Sequence, residues 1–413
     1  MKAAILTVGT EILFGQITNT NSAYLSKELN NLGIDVMYHY TVGDNPQRLK
    51  SMIDLAFTDC DLIVATGGLG PTQDDLTKET IARAMGDVII ENPRCLKDLR
   101  KYYEKTGRKM TPNNLKQANM PSKAIVFPND QGTAPGFALE RDGKTIIALP
   151  GPPREMTRMF QLQAKPFLEK KSDSSIVYRV IRTFGIGESK LETVLLPLID
   201  GQTDPTIATY AKEGESSLRV ASKRTTKKEA EDAVNLMMES IRQIIGEYIY
   251  SEDDQELAQV VGKILMEKNI TISCAESCTG GLFASTLTDI PGISAVFKEG
   301  LVTYSNEAKM DILGVKKETL DKFGAVSAET AMEMAIGLKK KSQSDICISV
   351  TGVAGPDGGT EETPVGTAYI GLVYGNGEND KKVIRSFYRN VNRKWNKNYT
   401  VLRMLNEVYK FIK

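Results

Sequence analysis

Ala275-Glu276-Ser277-Cys278-Thr279-Gly280-Gly281 follows a short β-branched run, Ile270-Thr271-Ile272, and precedes a segment of helical composition, Leu282 to Leu287. A strand that passes through a glycine-containing turn into a helix is the repeating unit of an α/β fold. Ser277 sits on that turn, where a side chain is exposed and the first backbone N–H groups of a helix have no intrahelical partner. Two readings of Ser277 stand side by side: a helix cap, a position serine favours, and a nucleophile.

A nucleophilic serine needs a base, and the 413-residue chain holds a single histidine, His39. His39 lies in a strand-like run, Ile34 to Tyr40, far from Ser277 in sequence and without chemistry of its own at that position. The base must therefore come from another residue type, and a Ser-His-Asp arrangement is excluded. Tyr304-Ser305-Asn306-Glu307-Ala308-Lys309 supplies candidates on a second strand-to-helix turn, between Phe297 to Tyr304 and Asn306 to Leu313. Lys309 serves as base if desolvation or a neighbouring cation lowers its pKa; otherwise it is a solvated helix lysine, and Tyr304 a strand aromatic. The N–H groups after Ser277, near the start of the Leu282 helix, are the expected oxyanion donors. Thr351 lies at a further strand end, Asp345 to Val350, and is placed to position substrate. Gly352 opens a glycine-rich loop running to Gly359, suited to close approach by a phosphate or ribose, and Arg393 is a candidate phosphate partner. Cys274 and Cys278 read as core thiols.

Composition limits the alternatives. Apolar residues make up 41% and charged residues 25%, with a net charge of +0, so nothing global points to nucleic acid or a membrane. No apolar run reaches the ~20 residues of a membrane span, and the N-terminus enters a strand pattern directly, without a signal peptide's core. The five cysteines are dispersed, which points to a reduced cytoplasm. The length suggests two to four domains at roughly 100–200 residues each.

Residues 1–171 alternate strand and helix signals. Ala3 to Val8, Ile34 to Tyr40, Leu62 to Ala65 and Thr145 to Leu149 read as strands; Asn21-Ser22 is the expected cap of a helix carrying Leu25, Leu29 and Leu32; Pro46 opens a helix, and Thr77 to Met85 forms another. This predicts a largely parallel sheet with ligands beyond the carboxyl ends of the strands. The loops at those ends are Gly9-Thr10-Glu11, Gly43-Asp44, Thr66-Gly67-Gly68-Leu69-Gly70-Pro71-Thr72-Gln73-Asp74-Asp75 and Leu149-Pro150-Gly151-Pro152-Pro153-Arg154-Glu155-Met156. Gly67, Gly68, Gly70 and Thr72 can cradle a phosphate, with Asp74 and Asp75 holding a divalent cation against it; a tight turn with solvated acids explains the same residues. Lys170-Lys171-Ser172-Asp173-Ser174-Ser175 reads as a linker.

Residues 172–251 form a small α+β module: a strand Tyr178 to Thr183, a Gly185-Ile186-Gly187-Glu188 turn, a helix from Ser189 to about Leu195, a strand pair (Thr206 to Tyr210, Leu218 to Ser222), and a long helix from Lys227 to Ile245 bearing Ala233, Leu236, Met237, Ile241, Ile244 and Ile245. Residues 252–413 return to α/β, with a helical stripe from Leu257 to Leu265, Ser327 as a cap, strands Ala368 to Val373 and Val383 to Tyr388, and a last helix from Arg393 to Ile412.

These motifs resemble the CinA (competence/damage-inducible) family. Residues 1–171 are similar to the MoaB/MogA-type molybdopterin-binding domain in its CinA version, through Thr7 to Leu13, the Thr66 to Asp75 loop and Leu149 to Met156. The resemblance implies a three-layer α/β fold and metal-dependent ADP-ribose pyrophosphatase activity. It implies a divalent ion (Mg²⁺, Mn²⁺ or Co²⁺), with room for a monovalent cation, on Glu11, Asp44, Asp74, Asp75 and Glu155. The middle module resembles the CinA KH-like domain but lacks the Gly-x-x-Gly clamp of true KH folds. Ala275 to Gly281, Val302 to Lys309, Gly324 to Ser327 and Gly352 to Gly359 resemble the CinA C-terminal domain, a nicotinamide mononucleotide amidohydrolase. By that resemblance Ser277 is the nucleophile, Tyr304 and Lys309 its activating partners, and Thr279, Gly280, Thr351, Gly352 and Arg393 substrate-site positions, with no cofactor. The implied protein is a cytoplasmic homodimer acting on nicotinamide mononucleotide and ADP-ribose. The rival readings are a non-hydrolytic pterin or nucleotide binder, and a competence-associated nucleic-acid partner, against which neutral charge and the missing clamp argue.

Overall fold

A computed structural model describes residues 1–171, 175–375, 380–387 and 392–413. The chain divides into two compact units, Met1–Tyr178 with Ser222–Val234 and Arg179–Ala221 with Asn235–Lys413.

The first sheet is built from β1 (Lys2–Val8), β2 (Asp35–Val42) and β3 (Leu62–Thr66), and from three later strands. Between them β4 (Ile89–Glu91) and β5 (Asn119–Pro121) pair separately, followed by β6 (Ile125–Phe127), β7 (Gly136–Arg141) and β8 (Lys144–Leu149). The order is β2-β1-β3-β8-β7-β6. The first four strands are mutually parallel and β7 is antiparallel to both its neighbours. Alternate residues of β1 enter two cores: Ala4, Leu6 and Val8 pack with Leu49 and Ile53, and Ala3 and Ile5 with Leu25 and Leu29. Helices thus cover both faces, which is why the strands read as continuous apolar runs. The helix Thr20–Asn31 is capped by Asn19, whose side chain accepts from the Ser22 amide at 3.1 Å. The expected cap pair, Asn21 and Ser22, lies two and three positions past the cap, because Ser22 bonds Thr7 at 2.9 Å and Asn21 donates to Thr66 at 3.0 Å. Pro46 does open its helix, with Asn45 as cap. His39 lies on β2 with Nε2 2.7 Å from Ser26 Oγ.

A four-stranded sheet follows: β9 (Ser175–Thr183), β10 (Thr206–Lys212), β11 (Glu215–Arg224) and β12 (Ile249–Ser251), in the order β10-β11-β9-β12. Of the expected linker, residues 172–174 lie outside the described residues, and Ser175 already begins β9. The helix Lys227–Ile245 has the expected bounds, and its buried face keeps Ile241 and Ile245 of the expected set but is otherwise shifted. Ala230, Val234, Met238, Ile241 and Ile245 are buried, whereas Leu236 is 68% exposed. Apolar residues mark more than one stripe of this helix, and only its packing decides which stripe is covered.

The last sheet contains β13 (Ile272–Glu276), β14 (Phe297–Val302), β15 (Ile346–Gly352), β16 (Thr367–Val373) and β17 (Lys381–Phe387), in the order β14-β13-β15-β16-β17. β13 lies between β14 and β15 and is parallel to both, while β16 runs antiparallel to β15 and β17 antiparallel to β16. Tyr388, the expected end of the last strand, lies outside the described residues. Ile272 and Cys274 face a core that includes Val261, Leu265, Phe283, Met404 and Val408; Ala275 faces the opposite core, with Met334, Ala335 and Leu338. β13 starts at Ile272 because Ile270 still closes the preceding helix, its amide bonding Leu265 O at 2.9 Å beyond the left-handed Asn269. Helices Asn306–Leu313 and Arg393–Ile412 have the expected bounds, capped by Ser305 and Asn392. Among the described residues no helix is long and apolar enough to cross a membrane.

Candidate active site

Three parallel strands of the last sheet end side by side, and each delivers one part of the site. Ser277 follows β13, Thr303 and Tyr304 follow β14, and Thr351 and Gly352 close β15. Lys309 comes from the helix after β14. Its Nζ is 3.1 Å from Ser277 Oγ, 3.0 Å from Thr303 O and 3.4 Å from Tyr304 O. Lys309 is 1% exposed and Ser277 8% exposed. Burial holds the Lys309 ammonium below the ordinary lysine range, and its hydrogen bonds include no carboxylate to oppose that shift. A neutral amine in this setting gives its two N–H groups to the two carbonyls and turns its lone pair toward the serine hydroxyl.

Ser277 does not cap a helix. The N-cap of Leu282–Thr288 is Gly281, and the capping is performed by Glu276, which the sequence reading passed over. The Glu276 carboxylate, fully buried, accepts from the amides of Gly281 (3.1 Å), Phe283 (3.0 Å) and Ala284 (2.9 Å). This corrects the expected oxyanion hole: the amides at the start of that helix are engaged by Glu276, which leaves those of Cys278 and Thr279 as the candidates. A glutamate followed four and five residues later by two glycines was the available signal. Gly280 (φ +64°) and Gly281 (φ +91°) both adopt the left-handed backbone that lets the chain double back over the carboxylate. Thr279 is fully buried with its hydroxyl unpartnered.

Tyr304 is placed differently from the expectation that it activates Ser277. Its ring is 60% exposed and its hydroxyl accepts from Arg393 Nη2 at 2.9 Å; only its carbonyl meets Lys309. Arg393 also donates to Gly355 O at 2.8 Å. Thr351 donates to Ala325 O at 2.6 Å, so it holds the 324–327 loop. A Cβ on Gly352 would fall 2.6 Å from Thr367 O, a packing constraint between β15 and β16. Burial pushes the Cys278 thiol up to about 12, consistent with a core thiol.

In the first unit a cleft of about 440 Å³ opens at the carboxyl ends of β1, β2, β3 and β8. Every residue singled out from the sequence lines it: Glu11, Asp44, Gly67, Gly68, Gly70, Thr72, Asp74, Asp75 and Glu155. Gly67 (φ +103°) lies so close to the Val8 carbonyl that any side chain would collide with it. The acids share the cleft but do not converge. Asp44 accepts from Thr10 N and Oγ1 (3.2 and 2.8 Å), Asp75 from Thr72 N (2.9 Å) and its hydroxyl, and Glu155 from Asn129 (2.7 Å). Among the described residues no group of three or more His, Cys, Asp or Glu side chains is arranged to hold a metal ion. Carboxylates on four separate loops, three of them bonded within the chain, do not fit the expected metal centre in this arrangement.

The fold and site define an α/β protein with a buried lysine–serine pair at the carboxyl ends of parallel strands. The chain belongs to the competence/damage-inducible CinA family. Three family models match it in succession: "Probable molybdopterin binding domain" over residues 4–170, "Damage-inducible protein CinA KH domain" over 178–251 and "CinA C-terminal domain" over 254–412. A "Putative competence-damage inducible protein" of Acetivibrio thermocellus is 48% identical over 412 residues, covering 100% of this chain and 99% of its own. One of Clostridium kluyveri is 50% identical over 386 residues, covering 93% and 94%. The crystal structure of competence/damage inducible protein CihA from Agrobacterium tumefaciens is 40% identical, covers 38% of this chain and 94% of its own, and has a TM-score of 0.37.

Proposed function

We propose that the Ser277 centre hydrolyses the carboxamide of nicotinamide mononucleotide, giving nicotinic acid mononucleotide and ammonia. The observation that carries this is the 3.1 Å contact between Lys309 Nζ and Ser277 Oγ, both buried. Neutral Lys309 takes the Ser277 proton as Oγ attacks the carboxamide carbon. The oxyanion is met by the Cys278 and Thr279 amides. As the tetrahedral adduct collapses, Lys309 returns the proton to the departing nitrogen and ammonia leaves. Water, deprotonated by the same amine, then attacks the acyl-Ser277 ester and releases the carboxylate. Ammonia release from nicotinamide mononucleotide by the wild type and by Ser277→Ala tests this. Absence of ammonia from the wild type defeats the amidase reading, and full activity in Ser277→Ala defeats the nucleophile.

A second reading concerns the glycine-lined cleft, which supports binding of a phosphate-bearing nucleotide or pterin. No hydrolytic step is assigned there, since its acids do not form a metal centre. Incubation with ADP-ribose and Mg²⁺, Mn²⁺ or Co²⁺, following AMP, separates the alternatives: metal-dependent turnover replaces binding by pyrophosphatase activity.

A further inference from the structure

The glycine-rich loop of the first unit is not held by its own backbone. Among the described residues the amides of Gly68, Leu69 and Gly70 have no hydrogen-bond partner, and the turn at the tip is closed by one long backbone bond, Asp75 N to Thr72 O at 3.3 Å. The Asp75 carboxylate accepts from the Thr72 amide at 2.9 Å and from its hydroxyl, but both partners belong to the tip itself. The tie to the rest of the fold comes from Lys116, on the 3₁₀ helix Pro112–Ala118. Its Nζ lies 2.9 Å from Thr72 O, 2.5 Å from Asp75 O and 3.9 Å from the Glu79 carboxylate. Among the described residues no other group hydrogen-bonds residues 71–75 to the remainder of the chain. Lys116 is itself anchored, because the buried Lys78 donates to its carbonyl at 2.8 Å. The cleft is lined by Thr72, Asp74 and Asp75 but not by Lys116, so the ammonium reaches the loop from behind. An anion entering the cleft meets the carboxylates of Glu11, Asp44, Asp74, Asp75 and Glu155. The cation bonded to the tip offsets part of that repulsion.

We propose that Lys116 is a positioning residue that locks the Gly67–Asp75 loop: its ammonium, shared between the Thr72 and Asp75 carbonyls, holds the tip in the shape that receives an anion and lowers the negative charge felt there. The role toward an anion rests on the reading of the cleft as a binder of phosphate-bearing ligands; the lock on the loop does not. Gly70 belongs to the same device. A Cβ on it would fall 2.6 Å from Asp75 Oδ2, so only glycine lets the loop close onto the carboxylate that shapes the tip. Hydrogen bonds made by a charged donor are the stronger kind, and two of them converge here on a turn with little else to order it.

The test uses the full chain as wild type, Lys116→Met and Lys116→Ala. Limited digestion with a protease that cuts before aspartate, followed by mass, reads opening of the tip at Asp74 whether or not a ligand binds. Cleavage there about tenfold faster in Lys116→Met, with other sites in the first unit cut at the wild-type rate, is the expected result. In Lys116→Ala, methylammonium chloride slows the cut at Asp74 again and sodium chloride at the same concentration does not, because the small cation refills the place of the missing ammonium. Equal cleavage in Lys116→Met, acceleration spread over the whole unit, or no rescue by methylammonium overturns the lock. Calorimetric titration with AMP supplies the second arm. Binding weakens about tenfold in Lys116→Met, and methylammonium restores it in Lys116→Ala. Equal binding to wild type and Lys116→Met overturns the role toward the anion. No binding of AMP to the wild type removes the nucleotide reading of the cleft, and the digestion still decides the lock.

Discussion

Lys309 Nζ meets Ser277 Oγ at 3.1 Å across 32 residues of sequence, because β13 and β14 lie side by side and the helix after β14 turns back over their ends. As general base of the proposed reaction, Lys309 must be neutral. Its pKa is displaced downward by burial, so activity rises with pH and levels off once the amine is deprotonated, with an apparent pKa below the ordinary lysine value of about 10.4. A pH–rate profile of ammonia release measures it. Lys309→Arg, which cannot be deprotonated, loses activity by at least about 10³-fold.

Glu276 has no hydroxyl or amine to react, yet its loss is expected to be severe. Glu276→Ala leaves three amides without an acceptor in a buried turn, at a cost of about 1–3 kcal/mol for each donor left unpaired. Denaturant unfolding reads the stability. Glu276→Gln keeps one acceptor oxygen and recovers part of the stability, with kcat still reduced because the loop before the oxyanion donors shifts. Unchanged kcat in both variants would remove Glu276 from any role in positioning Ser277.

Tyr304 offers a sharper discrimination. Its hydroxyl bonds Arg393, and the Ser277 hydroxyl bonds Lys309. Tyr304→Phe is therefore expected to raise KM a fewfold and leave kcat nearly intact. A loss of kcat of about 10²-fold or more would restore the tyrosine as an acid–base partner.

Lys78 carries a prediction about stability in the first unit. It is 1% exposed, donates to Lys116 O at 2.8 Å, and burial lowers its pKa to about 8. Between about pH 8 and the unfolded value near 10.4 the unfolded chain binds the extra proton, so this residue makes stability increase with pH across that window. Its contribution to the rise is about 3 kcal/mol. Chemical denaturation at pH 7.5 and 10, wild type against Lys78→Met, isolates it: the variant lacks that part of the slope.

What the sequence made legible was local. Helix bounds at Asn306–Leu313, Lys227–Ile245 and Arg393–Ile412 followed from caps and periodicity, and the strand ends bearing Ser277 and the Gly67 loop followed from glycine and β-branched runs. What stayed hidden depended on partners distant in the chain or on a choice among equivalent faces. The Lys227 helix offered more than one apolar stripe. Asn21 and Ser22 looked like caps until Thr7 and Thr66 claimed their side chains. The acids of the first cleft were gathered correctly, but sequence does not record which of them are bonded to Thr10, Thr72 or Asn129. Glu276 carries no ordinary cap signature in the sequence, because only the doubling back at Gly280 and Gly281 surrounds it with amides.

The single histidine, His39 on β2, is bonded to Ser26 and has a consequence for chemical probing. Reagents that inactivate hydrolases by acylating imidazole find none in the Ser277 centre. An electrophile that seeks uncharged amines finds there a lysine whose burial favours the reactive form below the ordinary lysine range. Covalent profiling of this chain would therefore sort it with amine-labelled proteins, although the nucleophile of the proposed reaction is a serine.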